Sequence, residues 1–243
     1  MDIIRILIVA TSHDRLGDSG RKTGAWLEEL AIPFYIFKEA GALITLASPK
    51  GGEVPLDPKS ESIIVSTSTI RRFQKDPEAI ALLEHSLPLS TQRAQDFDLV
   101  YLAGGHGPAW DFAGNGVLKE LLEDFDRQHK LIGAVSHGAA GLLALKNALG
   151  EPLVKGRRLT AFSNSEEQVS GLTAIMPLLL QSALTGLGAL YSQGPDFEKY
   201  IVIDGNIITG QNAASAREVA RQLLTGLKEL SKGSFIGPVA QSN

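Results

Sequence analysis

The sequence predicts an α/β fold in which a mostly parallel, doubly wound sheet carries helices on both faces. Short apolar runs rich in Val, Ile and Leu alternate along the chain with longer segments of helical period. Continuous apolar runs are typical of strands buried on both faces, and helices between such strands indicate parallel connections. With 243 residues, 44% of them hydrophobic, the chain can bury one sizeable core, so we expect a single α/β domain over residues 1–232.

The predicted elements follow one another as strand and helix in turn. The first strand is the apolar run at 3–10, and the first helix is the segment at 26–41. Further strands are predicted at 42–48, 98–104, 130–136, 158–163, 200–205 and 206–210, and further helices at 117–128 and from about Ala214 to Leu230. The Pro- and Gly-rich segment 49–76 is expected to form an irregular excursion near the active face. Residues 233–243 lack helical period, so we expect a flexible tail.

Charge and composition exclude several functional classes. Lys and Arg total 23 against 27 for Asp and Glu, a net charge of -4, so no overall basic field attracts nucleic acid or an anionic membrane. No apolar run approaches the roughly 20 residues that span a bilayer, and the first residues lack the pattern of a signal peptide. The absence of cysteine excludes disulfides and thiolate metal sites. We therefore expect a cytoplasmic protein whose partner is a small molecule.

The stretch A-V-S-H-G at 134–138, here called the elbow, has the character of a tight strand-to-helix turn that presents a nucleophile. Ligands bind at the carboxyl ends of the strands in open α/β sheets, so this turn faces the expected site. Small neighbours such as Gly133 and Gly138 leave room for a strained backbone, and the following amides can stabilise an oxyanion. Ser136 is therefore a candidate nucleophile with His137 beside it. The alternative is a serine that only caps the following helix.

A serine hydrolase is the first functional interpretation of the elbow, which is close to the G-x-S-x-G of α/β-hydrolases. In that fold the catalytic histidine comes later in the chain than both the serine and the acid. The five histidines stand at positions 13, 85, 106, 129 and 137, and none lies beyond the elbow. The order of these residues disfavours a serine hydrolase.

A glycine-rich exit, G-G-H-G, follows the strand predicted at 98–104. Gly105 and Gly107 let backbone amides approach a ligand closely, and His106 can donate or accept a hydrogen bond. The same pattern also fits an ordinary tight turn. No H-x-x-x-H or H-E-x-x-H pair occurs in the chain, so no metal site is predicted.

Two pairs of adjacent glutamates are candidate acids. Glu28 and Glu29 flank the apolar stripe of the first helix at equal distances from its centre, so periodicity does not choose between them. Glu166 and Glu167 follow a predicted strand, where they either orient a histidine or begin a helix with a favourable dipole interaction.

Six motifs occur in order along the chain: RKTGAWLEEL, ASPKGGEVPLDPKS, AGGHGPAWD, AVSHGAAG, FSNSEE and ITGQNAASA. The match that they carry extends over roughly residues 4–230. Together they closely resemble the motifs of the ThiJ/PfpI superfamily, in the branch that contains heat-shock chaperones and glutathione-independent glyoxalases. The resemblance implies a flavodoxin-like sandwich that forms a homodimer. It implies a small reactive carbonyl as substrate, since members of the branch convert methylglyoxal to lactate without glutathione, and no cofactor is expected. Some members also act as holding chaperones for unfolded client proteins.

The resemblance also implies roles for individual residues. The nucleophilic cysteine of the family's elbow, A-x-C-H-G, falls on Ser136, and the histidine beside it falls on His137. The acid partner of that histidine corresponds to Glu167, with Glu166 as the alternate. The buried glutamate beside the nucleophile corresponds to Glu29. The residues expected to line the opposite side of the pocket are Gly105, His106 and Gly107.

Serine at position 136 changes the chemistry that the resemblance implies. A cysteine thiolate would attack the aldehyde to give a hemithioacetal, a glutamate or histidine would move a proton between the two carbons, and water would release the hydroxy acid. A serine alcohol is not appreciably ionised at neutral pH, so the chain is predicted to be inactive or nearly so as a glyoxalase.

Two hypotheses explain the serine. Either the chain is a cysteine-to-serine variant whose parent is an enzyme, or it is a natural paralogue that kept the fold for binding. A chaperone function would fit the second hypothesis, and Phe73 and Trp110 are expected to be exposed apolar residues near the loops.

Overall fold

A seven-stranded sheet forms the centre of the computed structural model, which describes residues 3–62 and 67–231. The strands are β1 (Arg5–Val9), β2 (Leu43–Ser48), β3 (Leu87–Pro88), β4 (Leu99–Leu102), β5 (Leu131–Val135), β6 (Arg158–Leu159), β7 (Leu190–Tyr191), β8 (Ile201–Asp204) and β9 (Ile207–Gly210). Seven of them lie in the order β3-β2-β1-β4-β5-β9-β8. All neighbouring pairs in this sheet are parallel except β8 with β9. The prediction of a mostly parallel sheet is confirmed.

Helices cover both faces of the sheet. They are α1 (Leu27–Glu39), α2 (Ser68–Phe73), α3 (Pro77–Glu84), α4 (Pro108–Asp111), α5 (Gly116–Arg127), α6 (Asn164–Ser170), α7 (Leu180–Gly186) and α8 (Ala216–Ser231). Successive side chains of a strand point to opposite faces, so Leu7 and Val9 of β1 join a core with α5 and α7, while Ile6 and Ile8 join a second core with α1 and α8.

The order of the strands reverses between β1 and β4. From β1 the chain builds outward through β2 and β3, and it then returns to the other side of β1 to build β4, β5 and β9. A crevice opens at such a switch point, beyond the carboxyl ends of the strands, and ligands bind there in open α/β sheets. The elbow and the glycine-rich exit both lie at this end, after β5 and β4.

The strand predicted at 158–163 is much shorter in the structure and lies outside the main sheet. Only Arg158 and Leu159 are extended in a ladder, and they pair with β7. The next residue, Thr160, donates its backbone N–H to the side chain of Thr209 on β9 at 2.9 Å. Ser163 then caps α6. A side-chain contact and a helix cap therefore take the place of main-chain pairing, which an apolar run alone does not reveal.

The excursion predicted at 49–76 contains the regular helix α2, whose first turn is capped by the hydroxyl of Thr67 at 3.2 Å from the Ile70 amide. Phe73, on this helix, was expected to be exposed, and that expectation is wrong. Its ring is 3% exposed and packs edge-on against Phe34 of α1, with ring centroids 5.3 Å apart. Trp110 is partly buried and stacks on His13 at 4.9 Å. The predicted tail at 233–243 lies outside the described residues.

Candidate active site

Ser136 directly follows β5 and begins a short 3₁₀-helix that ends at Leu142. Its φ of 55° lies in the left-handed region. Among the described non-glycine residues, His129 and Phe197 also have a positive φ. This backbone costs a residue with a side chain about 1–2 kcal/mol, so the surrounding packing must hold it in place. A Cβ on Gly138 would lie 2.4 Å from the carbonyl oxygen of Leu102, so the turn requires a glycine there.

Glu29 lies beside the elbow with its side chain buried in the protein. Its Oε2 accepts a hydrogen bond of 2.9 Å from the backbone N–H of Gly104. Burial raises the pKa of Glu29 well above its ordinary value, and the amide of Gly104 and the hydroxyl of Ser136 offset only part of this effect. The neighbouring Glu28 is only half-buried and feels the charge of Arg217. Burial thus separates the two glutamates that helical periodicity left equivalent.

His137 and Glu167 form a buried pair. His137 Nε2 lies 2.7 Å from Glu167 Oε2, in hydrogen-bond geometry. Burial lowers the pKa of His137, which favours a neutral imidazole that donates its Nε2 proton to the carboxylate. Burial alone would raise the pKa of Glu167, but the contacts with His106 and His137 outweigh burial and lower that pKa to about 2. The carboxylate is therefore ionised and fixes the orientation of the His137 ring.

Glu166 is turned away from His137 and serves the local fold. It completes the capping box of α6, because its Oε2 accepts from the backbone N–H of Ser163 at 2.9 Å. Its Oε1 accepts from the backbone N–H of Phe197 at 2.8 Å and from the side chain of Asn212 at 2.7 Å. These contacts leave Glu166 as a structural acid, while Glu167 faces the histidines.

His106 reaches the same buried carboxylate from the glycine-rich exit. Its Nε2 lies 3.2 Å from Glu167 Oε1, at ion-pair distance but outside hydrogen-bond geometry. The rings of His106 and His137 are 4.7 Å apart, and Phe162 packs against both, at 5.8 and 4.7 Å. Phe162 was not identified from the sequence, although it stands in F-S-N-S-E-E, one of the six motifs. It gives the two imidazoles an apolar wall.

The glycines of the exit allow close backbone approach. Gly105 has a φ of 96°, and a Cβ there would lie 2.4 Å from the carbonyl oxygen of Gly24. The amide of Gly107 donates to that same carbonyl at 3.4 Å. Gly107 therefore links the exit to the segment before α1 by a backbone hydrogen bond. A different amide, that of Gly104, contacts the site residue Glu29.

A cavity of about 360 Å³ leads to this site. His106 lies in its wall, together with apolar and charged residues from the segments around it: Leu16, Arg21, Lys22, Asp57, Pro58, Lys59 and Leu172. A larger cavity of about 610 Å³ contains none of the candidate site residues in its lining. The smaller cavity therefore brings a small molecule to His106, the candidate site residue in its lining. Part of the segment 49–76 also lines this cavity.

These contacts define a class of site: a strained residue at a strand exit, a buried glutamate that retains its proton, and a histidine oriented by an ionised glutamate. The chain belongs to the DJ-1/PfpI family, whose profile matches residues 23–226. The ThiJ/PfpI membership predicted from the motifs is confirmed.

The relatives of this chain include proteins named as glyoxalases. Glyoxalase 3 of Candida albicans is 28% identical over 93% of this chain and 99% of its own length. A glutathione-independent glyoxalase of Saccharomyces cerevisiae is 26% identical over 92% of this chain and 98% of its own length.

Solved structures show the same fold. The 24 kDa rapid encystment protein of Francisella tularensis has a TM-score of 0.89 and 34% identity, covering 93% of this chain and 99% of that one. Glyoxalase III of Candida albicans has a TM-score of 0.85 and 27% identity, covering 91% and 96%. The fold is therefore flavodoxin-like, as expected. Across residues 3–62 and 67–231, no helix combines the length and apolar character that a membrane span requires.

Proposed function

We propose that this chain is the scaffold of a glutathione-independent glyoxalase, acting on methylglyoxal or a similar small carbonyl, with Ser136 at the position of the nucleophile. The observation that carries the proposal is the setting of Ser136. It sits in a strained elbow between buried Glu29 and the His137–Glu167 pair. The named activities of relatives that match more than nine-tenths of the chain support it.

With cysteine at position 136, the surrounding residues would divide the chemistry between them. Neutral His137 accepts the thiol proton, and the thiolate attacks the aldehyde carbon to form a hemithioacetal. His137 returns the thiol proton to the aldehyde oxygen and is again neutral. It then removes the proton from the aldehyde carbon while Glu29 protonates the neighbouring carbonyl oxygen, which gives an enediol. His137 delivers its proton to the second carbon as the Glu29 carboxylate takes back the hydroxyl proton of the first. The product of that step is a thioester of lactate, and attack by water releases lactate and restores the thiol. Glu167 holds His137 in one tautomer throughout.

Serine stops this sequence at its first step. An alcohol is a far weaker acid than a thiol, so a serine needs a base that accepts its proton during the attack, whereas the Ser136 hydroxyl hydrogen-bonds Glu29. The structure offers Ser136 no second base, since the other glutamate beside it, Glu29, favours its protonated form. We therefore propose that the chain, as its sequence stands, forms lactate very slowly or not at all.

The test is a lactate assay with excess methylglyoxal and no glutathione, on the chain itself, on Ser136→Cys and on Ser136→Ala. We expect Ser136→Cys to exceed the other two by at least about 100-fold, because loss of a nucleophile from such a constellation lowers kcat by orders of magnitude. A folded but inactive Ser136→Cys protein would refute the glyoxalase proposal. Rapid turnover by the serine form that is lost in Ser136→Ala would instead indicate a serine enzyme.

The proposal also includes the assembly of the chain and its location in the cell. A homodimer is the expected assembly and the cytoplasm the expected location, and light scattering in solution would return the mass of one chain if the dimer is wrong. Within residues 3–62 and 67–231, Phe73 is buried and does not support client binding, and the exposed large apolar residues include Leu149 and Val117. Single exposed apolar side chains are ordinary in soluble proteins. We therefore put forward no second function.

A further inference from the structure

Three potential metal ligands meet beside the elbow, although they are far apart in the sequence. His106 comes from the exit after β4, His137 from the 3₁₀-helix after β5, and Glu167 from α6. One ligand atom from each residue lies within 4.8 Å of the others. Successive members stand about 30 residues apart in the sequence, so no short spacing motif such as H-x-x-x-H contains them. We call these three residues the His-His-Glu cluster.

The distances within the cluster are close to those between the ligands of a metal ion. Zinc binds imidazole nitrogen and carboxylate oxygen at about 2.0–2.2 Å, so neighbouring ligand atoms of a tetrahedral site lie about 3.3 Å apart. Glu167 Oε1 lies 3.2 Å from His106 Nε2, and Glu167 Oε2 lies 2.7 Å from His137 Nε2. Small rotations of these side chains would bring both nitrogens and one oxygen to coordinating distance.

The cluster also holds most of the unpartnered buried polar atoms of the described residues. Among the described residues, six buried side-chain nitrogen or oxygen atoms make no hydrogen bond. Four of the six belong to the cluster: His106 Nδ1, His106 Nε2, His137 Nδ1 and Glu167 Oε1. Buried polar atoms are nearly always paired, so such a concentration needs a physical reason. A cation held by the two Nε2 atoms and Glu167 would partner two of these four atoms, His106 Nε2 and Glu167 Oε1.

The ligand types indicate a divalent transition metal, since two imidazoles and one carboxylate also hold Fe²⁺ in some enzymes. Two imidazoles and one carboxylate form the ligand set of catalytic zinc sites, which leave a fourth position open, and thiolates are not required. Phe162 shields the two rings on one side, and such an apolar shell excludes competing water. On the other side His106 borders the 360 Å³ cavity, from which a water molecule or a carbonyl oxygen can reach the ion.

We propose that His106, His137 and Glu167 form a three-ligand site for a divalent transition metal, best matched by Zn²⁺, with an open fourth position facing the cavity. This site does not depend on the glyoxalase proposal, because it needs neither a nucleophile nor turnover. It uses the same His137 and Glu167, so metal binding and proton transfer by these residues exclude one another. In an active Ser136→Cys protein, Zn²⁺ would then inhibit lactate formation.

The test is calorimetric titration of the full chain, freed of metal with a chelator, with Zn²⁺, and visible absorption after addition of Co²⁺. We expect one ion per chain and the intense Co²⁺ bands of a four-coordinate site. His106→Ala and Glu167→Gln should each weaken binding by more than about 100-fold, since even residues that only support a ligand change affinity 10–100-fold. His85→Ala is the matched control, because His85 is exposed at the end of α3 and should leave binding unchanged.

Two outcomes would overturn the site. The first is the absence of Zn²⁺ heat and Co²⁺ bands up to millimolar metal. The second is binding that persists in both His106→Ala and Glu167→Gln, which would indicate ions held elsewhere on the surface. Thermal unfolding of each metal-free variant shows whether it is folded, and His106→Ala, at the cavity wall, keeps the test valid if Glu167→Gln does not fold.

Discussion

Glu29 and Glu167 flank the elbow with the same degree of burial and opposite acid strengths. Each residue is 2% exposed. The pKa of Glu29 is raised well above its ordinary value, because burial is opposed mainly by one amide and one hydroxyl, and the charges of Glu28 and Glu166 add to the effect. The pKa of Glu167 falls to about 2, because the two histidines outweigh its burial. Burial therefore destabilises the ionised form of both carboxyls. Their hydrogen-bond and charged partners determine whether the ionised form is nevertheless favoured.

The difference assigns separate tasks to the two acids. A carboxyl that retains its proton can deliver that proton to a substrate, whereas an ionised carboxylate can only accept hydrogen bonds and stabilise positive charge. Glu29 is thus suited to proton transfer at the reacting carbons, and Glu167 to holding His137. Pairs of acids whose environments push their pKa values apart are characteristic of sites that need both functions.

The largest effects should appear in catalysis, in the Ser136→Cys background. We expect Glu29→Gln to lower kcat for lactate formation by about 10²–10⁴-fold, because an amide cannot carry the proton. Glu167→Gln should cause a loss of similar size through misorientation of His137.

The adjacent glutamates provide matched controls for these two variants in the same assay. Glu28→Gln, half-buried on the same helix as Glu29, and Glu166→Gln, a structural acid, should each keep kcat within about tenfold once folded. Equal losses in Glu28→Gln and Glu29→Gln would remove the distinction between them.

The next largest effect is on stability in acid. The folded pKa of Glu167 is about 2 against an ordinary value of 4.5, so the unfolded state binds the proton first as pH falls. The stabilisation is complete above about pH 4.5 and is lost between there and about pH 2. It amounts to about 3 kcal/mol in the free energy of unfolding.

Urea unfolding at a series of pH values, for the chain and for Glu167→Gln, measures this contribution directly. The other acidic residues are common to the two proteins, so the difference between them isolates position 167. We expect the two stabilities to converge as pH falls from 4.5 towards 2. Parallel curves would show that Glu167 is not held ionised by the histidines.

The smallest effect is the opposite pH dependence at Glu29. Its folded pKa is raised, so above pH 4.5 the unfolded carboxyl is ionised while the folded one keeps its proton, and stability falls as pH rises. Glu29→Gln removes this dependence and keeps an acceptor for the amide of Gly104. Near pH 4 we expect a change in the free energy of unfolding within about 1 kcal/mol. With increasing pH the free energy of unfolding of Glu29→Gln should rise relative to that of the unsubstituted chain. Denaturant titrations that show no such relative rise would contradict the raised pKa of Glu29.

Local patterns were sufficient to predict the framework. The apolar runs of β1, β2, β4 and β5 lie within two residues of their predicted bounds. Strands β4 and β5 are buried throughout, and β1 and β2 are buried at their carboxyl ends, so their sequences are largely apolar there. The prediction of a strand over the apolar run at 158–163 was wrong for most of that run, because its burial comes from packing outside the main sheet. The helix α2 was missed because proline and glycine earlier in its segment concealed a six-residue element.

The sequence by itself determined the fold class, the elbow with Ser136 and His137, and, through ordered motifs, the family. The family resemblance assigned Glu29 and Glu167, and the tertiary structure gave the physical basis: burial for Glu29 against Glu28, and hydrogen-bond partners for Glu167 against Glu166. Only the tertiary structure brought His106 to the same carboxylate as His137 and added Phe162 as their wall. The physical reason is that strand and turn signals act between near neighbours in the chain. The pKa of a buried acid and the ligands of a metal depend on groups tens of residues away, which only the folded protein brings together.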